Sequence, residues 1–117
     1  MKPGDVIPKP WGSEHIVDLN QSYCIKYLRI RRGQRLSKQY HEQKRETMLL
    51  VRGNALLQLT DERDAKKDIV MEFGEPYVVE PGTVHRIEGM STEPAVILEV
   101  STPEVDDIVR LQDDYGR

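Results

Sequence analysis

Cysteine is close to absent: the chain has one, Cys24, so no internal disulfide can form, and the residue is expected to be a small buried apolar side chain. Long apolar runs are missing too. The opening Met1-Lys2-Pro3-Gly4-Asp5 lacks the hydrophobic stretch of a signal peptide, and no segment approaches transmembrane length. A soluble cytoplasmic protein is the expectation. Positive charge is not in excess, with 17 Lys and Arg against 20 Asp and Glu, and the net charge of −3 excludes an electrostatic footprint for nucleic acid. An anionic substrate would need a local basic site. Low-complexity tracts are lacking, and apolar residues at helical spacing are confined to the end of the chain. The 117 residues are read as one domain spanning 1–117, large enough to bury roughly two-thirds of its unfolded surface.

What is present is a series of short strand-like runs punctuated by glycine, proline and charge. Residues 23–31, 36–41, 46–51, 55–59, 68–73, 77–79, 84–88 and 95–101 read as strands of ordinary length. Eight such strands predict a sandwich or barrel. Residues 61–67 form a charged connector with no apolar period, expected to be a hairpin excursion into solvent. In residues 105–111, Val105, Ile108, Val109 and Leu111 offer a short apolar stripe compatible with a helix. Gly33, Gly53, Gly74 and Gly82 fall at strand boundaries, and Pro81-Gly82 predicts a tight turn that aims the strand carrying His85.

Two of these stretches carry side chains able to bind a metal. The first runs Gly33, five residues, Gln39, one residue, His41, four residues, Glu46, six residues, Gly53; the second has Gly74, then Gly82, two residues, His85. Alternation places Gln39 and His41 on one strand face, groups Glu46 with Met48 and Leu50, and groups His85 with Thr83 and Ile87. Candidate ligands thus share inward faces with apolar neighbours, as a small barrel requires. Imidazole nitrogen with carboxylate or amide oxygen suits borderline divalent ions, and ligands from separate strands can leave positions open for a substrate.

These stretches resemble the two motifs of the cupins, with Gln39 in place of the usual first histidine. That replacement resembles the phosphomannose isomerases. Lys9-Pro10-Trp11-Gly12 resembles the opening of type II mannose-6-phosphate isomerase domains, and Asp107-Ile108-Val109-Arg110 with Asp114-Tyr115-Gly116-Arg117 resembles their ending. The resemblance implies an all-β double-stranded β-helix, a jelly-roll barrel with a short C-terminal helix or extended tail. It also implies one divalent transition metal, among Zn, Mn, Fe, Co and Ni, on Gln39, His41, Glu46 and His85. The chemistry implied is aldose–ketose interconversion of mannose 6-phosphate and fructose 6-phosphate or a related sugar phosphate, the metal polarising the carbonyl as a Lewis acid.

Other residues take roles only within that resemblance. Lys26, on an inward strand face with Leu28 and Ile30, is a candidate base or a partner for an anion. Arg86, Arg110 and Arg117 are candidate phosphate ligands, although alternation turns Arg86 outward. Trp11 is expected to anchor packing over one barrel opening, and His15 to lie on the surface. The sequence departs from the family pattern in the loop Glu42-Gln43-Lys44-Arg45, where a histidine-rich loop is usual, and in having Glu80 two residues before Gly82. A stand-alone cupin, without the nucleotidyltransferase domain of the bifunctional enzymes, is the expectation. A non-catalytic sugar or sugar-nucleotide binding cupin and an iron-dependent cupin oxygenase are the alternatives, and a homodimer is the expectation by analogy.

Overall fold

The computed structural model describes residues 1–117, which form eleven strands in two antiparallel sheets and no helix. The strands are β1 (Val6–Lys9), β2 (Gly12–Leu19), β3 (Cys24–Ile30), β4 (Lys38–Tyr40), β5 (Glu46–Arg52) and β6 (Ala55–Thr60). They continue as β7 (Lys66–Val70), β8 (Pro76–Val79), β9 (Val84–Gly89), β10 (Ala95–Ser101) and β11 (Val109–Gln112). One sheet runs β1-β2-β3-β10-β5-β8 and the other β11-β4-β9-β6-β7, so strands adjacent in sequence often lie in opposite sheets. This is the expected double-stranded β-helix. With no helix present, none is long and apolar enough to cross a membrane.

Alternation decides what each sheet turns inward. On β3 the buried residues are Cys24, Lys26, Leu28 and Ile30; on β5 they are Glu46, Met48 and Leu50; on β10 they are Ala95, Ile97, Glu99 and Ser101. Register then sorts them by polarity. Ile97 pairs with Leu28 and Leu50, whereas Glu99 pairs with Lys26 and Ser101 pairs with Glu46. One end of the barrel is therefore apolar and the other carries charge. Ile30, Met48, Leu57, Ile87 and Ile97 form the apolar end with Trp11, each burial stabilising the fold by about 1.5–3 kcal/mol.

Two glycines carry the geometry. At Gly12 a β-carbon would sit 1.8 Å from the Arg29 carbonyl oxygen, so β2 can lie against β3 there only without a side chain. Gly12→Ala is expected to destabilise the fold by more than the roughly 1–3 kcal/mol typical of overpacking, read from urea unfolding. Gly82 has φ of 84° in a turn closed by Thr83 N–H donating to Glu80 O at 3.1 Å. Proline at the second position and a positive-φ glycine at the third make this a type II turn, as Pro81-Gly82 predicts. Its Gly82 N–H donates to His41 O at 2.7 Å, tying the two ligand-bearing stretches together.

Three differences from the sequence reading stand out. The segment 105–111 is not helical: Val105 and Asp106 lie in a turn, and residues 109–112 form β11, held by pairing with β4. The charged connector does turn through solvent at Asp61–Ala65, but the following strand begins at Lys66 and ends at Val70. The amino-terminal strands β1 and β2 extend the larger sheet by pairing Val6 through Lys9 with His15 through Gly12.

Candidate metal centre

His41 follows β4, Glu46 opens β5 and His85 lies on β9, opposite Gln39 in the β4·β9 ladder. Their ligand atoms fall within 4.8 Å of one another, and the side chains are buried to 2–3% exposure. The two imidazoles are anchored alike, each through Nδ1 on a backbone carbonyl. His85 Nδ1 contacts the Thr83 carbonyl at 2.9 Å, and His41 Nδ1 contacts the Asp107 carbonyl at 2.5 Å. A carbonyl accepts only, so this network assigns the Nδ1 proton to both rings and leaves each Nε2 a lone pair.

Both lone pairs face a carboxylate. His85 Nε2 is 2.9 Å and His41 Nε2 3.4 Å from Glu46 Oε1. Two neutral imidazole acceptors and a carboxylate repel unless a cation or a proton lies between them. His41 Nε2 and Glu46 Oε2 have no hydrogen-bond partner although both are buried. This donor set fits a divalent transition metal: two Nε2 atoms and a carboxylate converge, with Nδ1–H groups anchored on backbone carbonyls as metal-binding histidines usually are. Without metal, a proton takes part of that role. Burial pushes the Glu46 carboxyl up, but the facing His41 and His85 imidazoles overcome it and hold it well below the usual range. Burial pushes His85 down, and Glu46 more than reverses this, so its pKa is raised.

Gln39 and His41 line one cavity, and Gln39 Oε1 accepts from Ser37 Oγ at 2.6 Å. An amide oxygen has a second lone pair, which remains for a metal. The cavity measures about 470 Å³ and has Trp11, Leu28 and Leu36 in its walls. Lys9, Lys26, Lys44, Arg110 and Arg117 bring positive charge, and Glu14, Glu99 and Asp106 bring negative charge. Trp11 both anchors the core and lines this space. Cys24 is buried, and burial pushes its thiol pKa up. His15 is half-buried on β2, 2.9 Å from Ser13 Oγ.

The remaining candidates separate into two groups. Arg110 and Arg117 line the cavity, although the Arg117 guanidinium is engaged by Asp113 at 3.0 Å and lies over Tyr115. Arg86 does not line it. Alternation turns Arg86 away from His85, and the carboxy-terminal segment then buries it: Nε donates to Leu36 O at 2.8 Å, and the guanidinium meets Asp114 at 3.3 Å. A phosphate inside the barrel is out of its reach by this geometry. Lys26 points inward as expected, but it hydrogen-bonds Glu14 and lies 3.4 Å from Glu99. Although burial lowers its pKa, Glu99 and Glu14 raise it well above the usual lysine value. Lys26 is therefore a fixed cation and does not fit the role of base.

Sequence reasoning passed over three residues beside the centre. Glu99 is buried on β10; burial and the nearby Glu46 raise its carboxyl pKa to about 7. Its signal was available, because alternation through Ala95 and Ile97 places a charged residue inward. Lys44 sits in the loop with Nζ 3.4 Å from Glu46 Oε2, a position no period reveals. Asp107 accepts backbone N–H bonds from Glu42, Gln43 and Lys44, which, led by that of Glu42, hold its carboxyl below the usual range.

A double-stranded β-helix with histidine, glutamate and histidine converging inside one end defines the class: this is a cupin. The chain belongs to the family described as mannose-6-phosphate isomerase C-terminal, whose profile matches residues 4–113. It is 31% identical to the alginate biosynthesis protein AlgA of Pseudomonas aeruginosa over 112 residues, spanning 93% of this chain and 22% of that protein. It is likewise 31% identical to the mannose-1-phosphate guanylyltransferase of Escherichia coli K12, over 93% of this chain and 22% of that enzyme. The chain thus spans only about a fifth of the length of these relatives. Among solved structures, the capsular polysaccharide assembling protein CapF of Staphylococcus aureus superposes with a TM-score of 0.79 at 18% identity, over 95% of this chain and 35% of that one. This similarity supports the fold.

Proposed function

We propose that the chain is a metal-dependent, isomerase-like cupin that interconverts mannose 6-phosphate and fructose 6-phosphate or a related sugar phosphate. The convergence of two Nε2 lone pairs on the Glu46 carboxylate carries this reading. Family membership and the sugar-related names of the relatives supply the substrate class. Gln39, His41, Glu46 and His85 hold one divalent ion, of Zn, Mn, Fe, Co or Ni. Bound there, it supplies Lewis-acid polarisation of a sugar carbonyl. The chain's own groups do the rest. Glu99 presents a carboxyl to the cavity to carry a proton, Lys26 fixes Glu14 and Glu99 in place, and Arg110, Arg117 and Lys44 attract the phosphate. Trp11 and Leu28 exclude water from the inner wall.

A second reading has its own observation. The Lys44 ammonium already partners Glu46 at 3.4 Å, as it would in a catalytically silent module that binds a sugar or sugar nucleotide without metal. A coupled assay with fructose 6-phosphate and metal-loaded protein separates the readings. Turnover that EDTA abolishes and added metal restores is expected. Sugar binding with no turnover, in protein that carries stoichiometric metal, supports the silent module, and oxygen uptake with Fe(II) supports the oxygenase. A homodimer is part of the proposal: the outer face of the larger sheet exposes Val17, Tyr27, Val78 and Val100, which a second copy can cover. Sedimentation at micromolar concentration is expected to give twice the chain mass, and a monomer contradicts it.

A further inference from the structure

We propose that the carboxy-terminal segment and the metal centre form one thermodynamic unit, with Asp107 as the positioning residue that joins them; this rests on His41, Glu46 and His85 binding metal. Asp107 acts on the centre from both of its polar ends. Its carboxylate accepts from Glu42 N–H at 3.0 Å, Gln43 N–H at 2.7 Å and Lys44 N–H at 2.9 Å, which shapes the loop between His41 and Glu46. Its carbonyl accepts from His41 Nδ1, which fixes the ring's tautomer and turns Nε2 toward Glu46. Both contacts come from more than sixty residues away in sequence.

Apart from Asp107, side chains tie the loop at its end, where Arg45 Nε donates to Glu80 at 2.8 Å and Lys44 Nζ lies 3.4 Å from Glu46. Residues 42–45 lie outside any strand, and their other tie to the segment is the exchange between Arg45 and Thr102, with both bonds at 3.0 Å. If Asp107 leaves, three N–H groups turn to water and the His41 ring loses the acceptor that orients it. The segment is itself held by the β11·β4 ladder and, beyond it, by polar contacts: Arg35 grips Asp114 at 2.6 and 3.0 Å, and Tyr115 Oη donates to Gln34 at 2.9 Å. Beyond Asp107 it contributes Ile108 and Arg110 to the cavity wall. Any ion that requires His41 in its present orientation therefore favours the docked segment. Linkage makes the effect mutual: docking raises metal affinity by the same factor that metal raises docking.

The full chain titrated with Co(II), followed by absorption and calorimetry, tests this. Asp107→Ala keeps the carbonyl that His41 meets and removes the carboxylate that holds the loop between His41 and Glu46; it is expected to weaken Co(II) binding about 10-fold, the lower end of what loss of a group supporting a ligand costs, and to alter the d–d spectrum. Asp114→Asn, which loosens the far end without touching His41, is expected to change affinity by less than about 3-fold. In the unaltered protein, saturating Co(II) is expected to slow amide exchange across residues 105–112, a readout that holds even if Asp107→Ala does not fold. Wild-type affinity and spectrum in folded Asp107→Ala overturn the proposal, as does an Asp114→Asn loss equal to that of Asp107→Ala. Unchanged exchange at 105–112 also overturns it. If the unaltered protein binds no Co(II), the metal centre fails and the coupling with it; if it binds and the variant matches it, the coupling alone fails.

Discussion

His85→Ala is expected to weaken divalent-metal binding by more than the roughly 10–100-fold that loss of a merely orienting group costs, because it removes a ligand outright. The remaining His41 Nε2 and Glu46 cannot enclose an ion from the β9 side. Affinity should also depend on pH with a definite sign. The Glu46 carboxylate raises the His85 pKa in the metal-free protein, so a proton competes for Nε2, and binding weakens as pH falls through that raised value. Zn(II) or Co(II) titrations at pH 8 and pH 6 read both effects. Equal affinity at the two pH values, or metal binding by His85→Ala at wild-type strength, contradicts ligation by this ring.

Lys26→Met is the substitution with the largest expected effect on stability. The ammonium is buried between Glu14 and Glu99, and its removal leaves two carboxyl groups facing one another in the barrel wall. Breaking a buried ion pair from one side typically costs about 3–5 kcal/mol. The loss should be greater at pH 8 than at pH 5. Glu99 has a folded-state pKa raised to about 7, so the folded protein binds its proton more tightly than the unfolded chain does. That contribution is present at low pH and lost as pH rises through about 7. At pH 5 the variant therefore buries a neutral Glu99, and at pH 8 it must bury a carboxylate beside Glu14 and Glu46. Lys26 itself adds no slope in this window, because its own raised pKa lies above it. Urea unfolding at the two pH values measures the difference. A loss under about 1 kcal/mol at pH 8 would place Lys26 among solvated lysines.

The central strands were legible because their burial alternates strictly. Ala95, Ile97 and the residues of β3 and β5 turn inward at every second position, so hydrophobic pattern and structure agree. The amino-terminal pair β1 and β2 was not, since Pro8, Pro10 and Gly12 break the apolar period and the strands exist by pairing with one another and with β3. For the same reason Val109–Gln112 reads ambiguously: its four residues are mostly exposed, and pairing with β4, which sequence does not show, makes them a strand. At the site, His41, Glu46 and His85 were visible by spacing. Lys44 and Asp107 were not, because each acquires its place from a contact across the fold. Arg86 shows the limit of alternation. Its outward direction followed from the period, yet Asp114 and Leu36 cover it there, so outward did not mean exposed.

The sharpest test of a metal centre on His41, Glu46 and His85 is a crystal of the protein grown with Co(II), with anomalous differences collected on either side of the cobalt edge. A single strong peak is predicted inside the barrel, in contact with His41 Nε2, His85 Nε2 and a Glu46 oxygen, with Gln39 Oε1 as the fourth protein ligand. A barrel interior without a cobalt peak, or cobalt bound only at other residues, would contradict it.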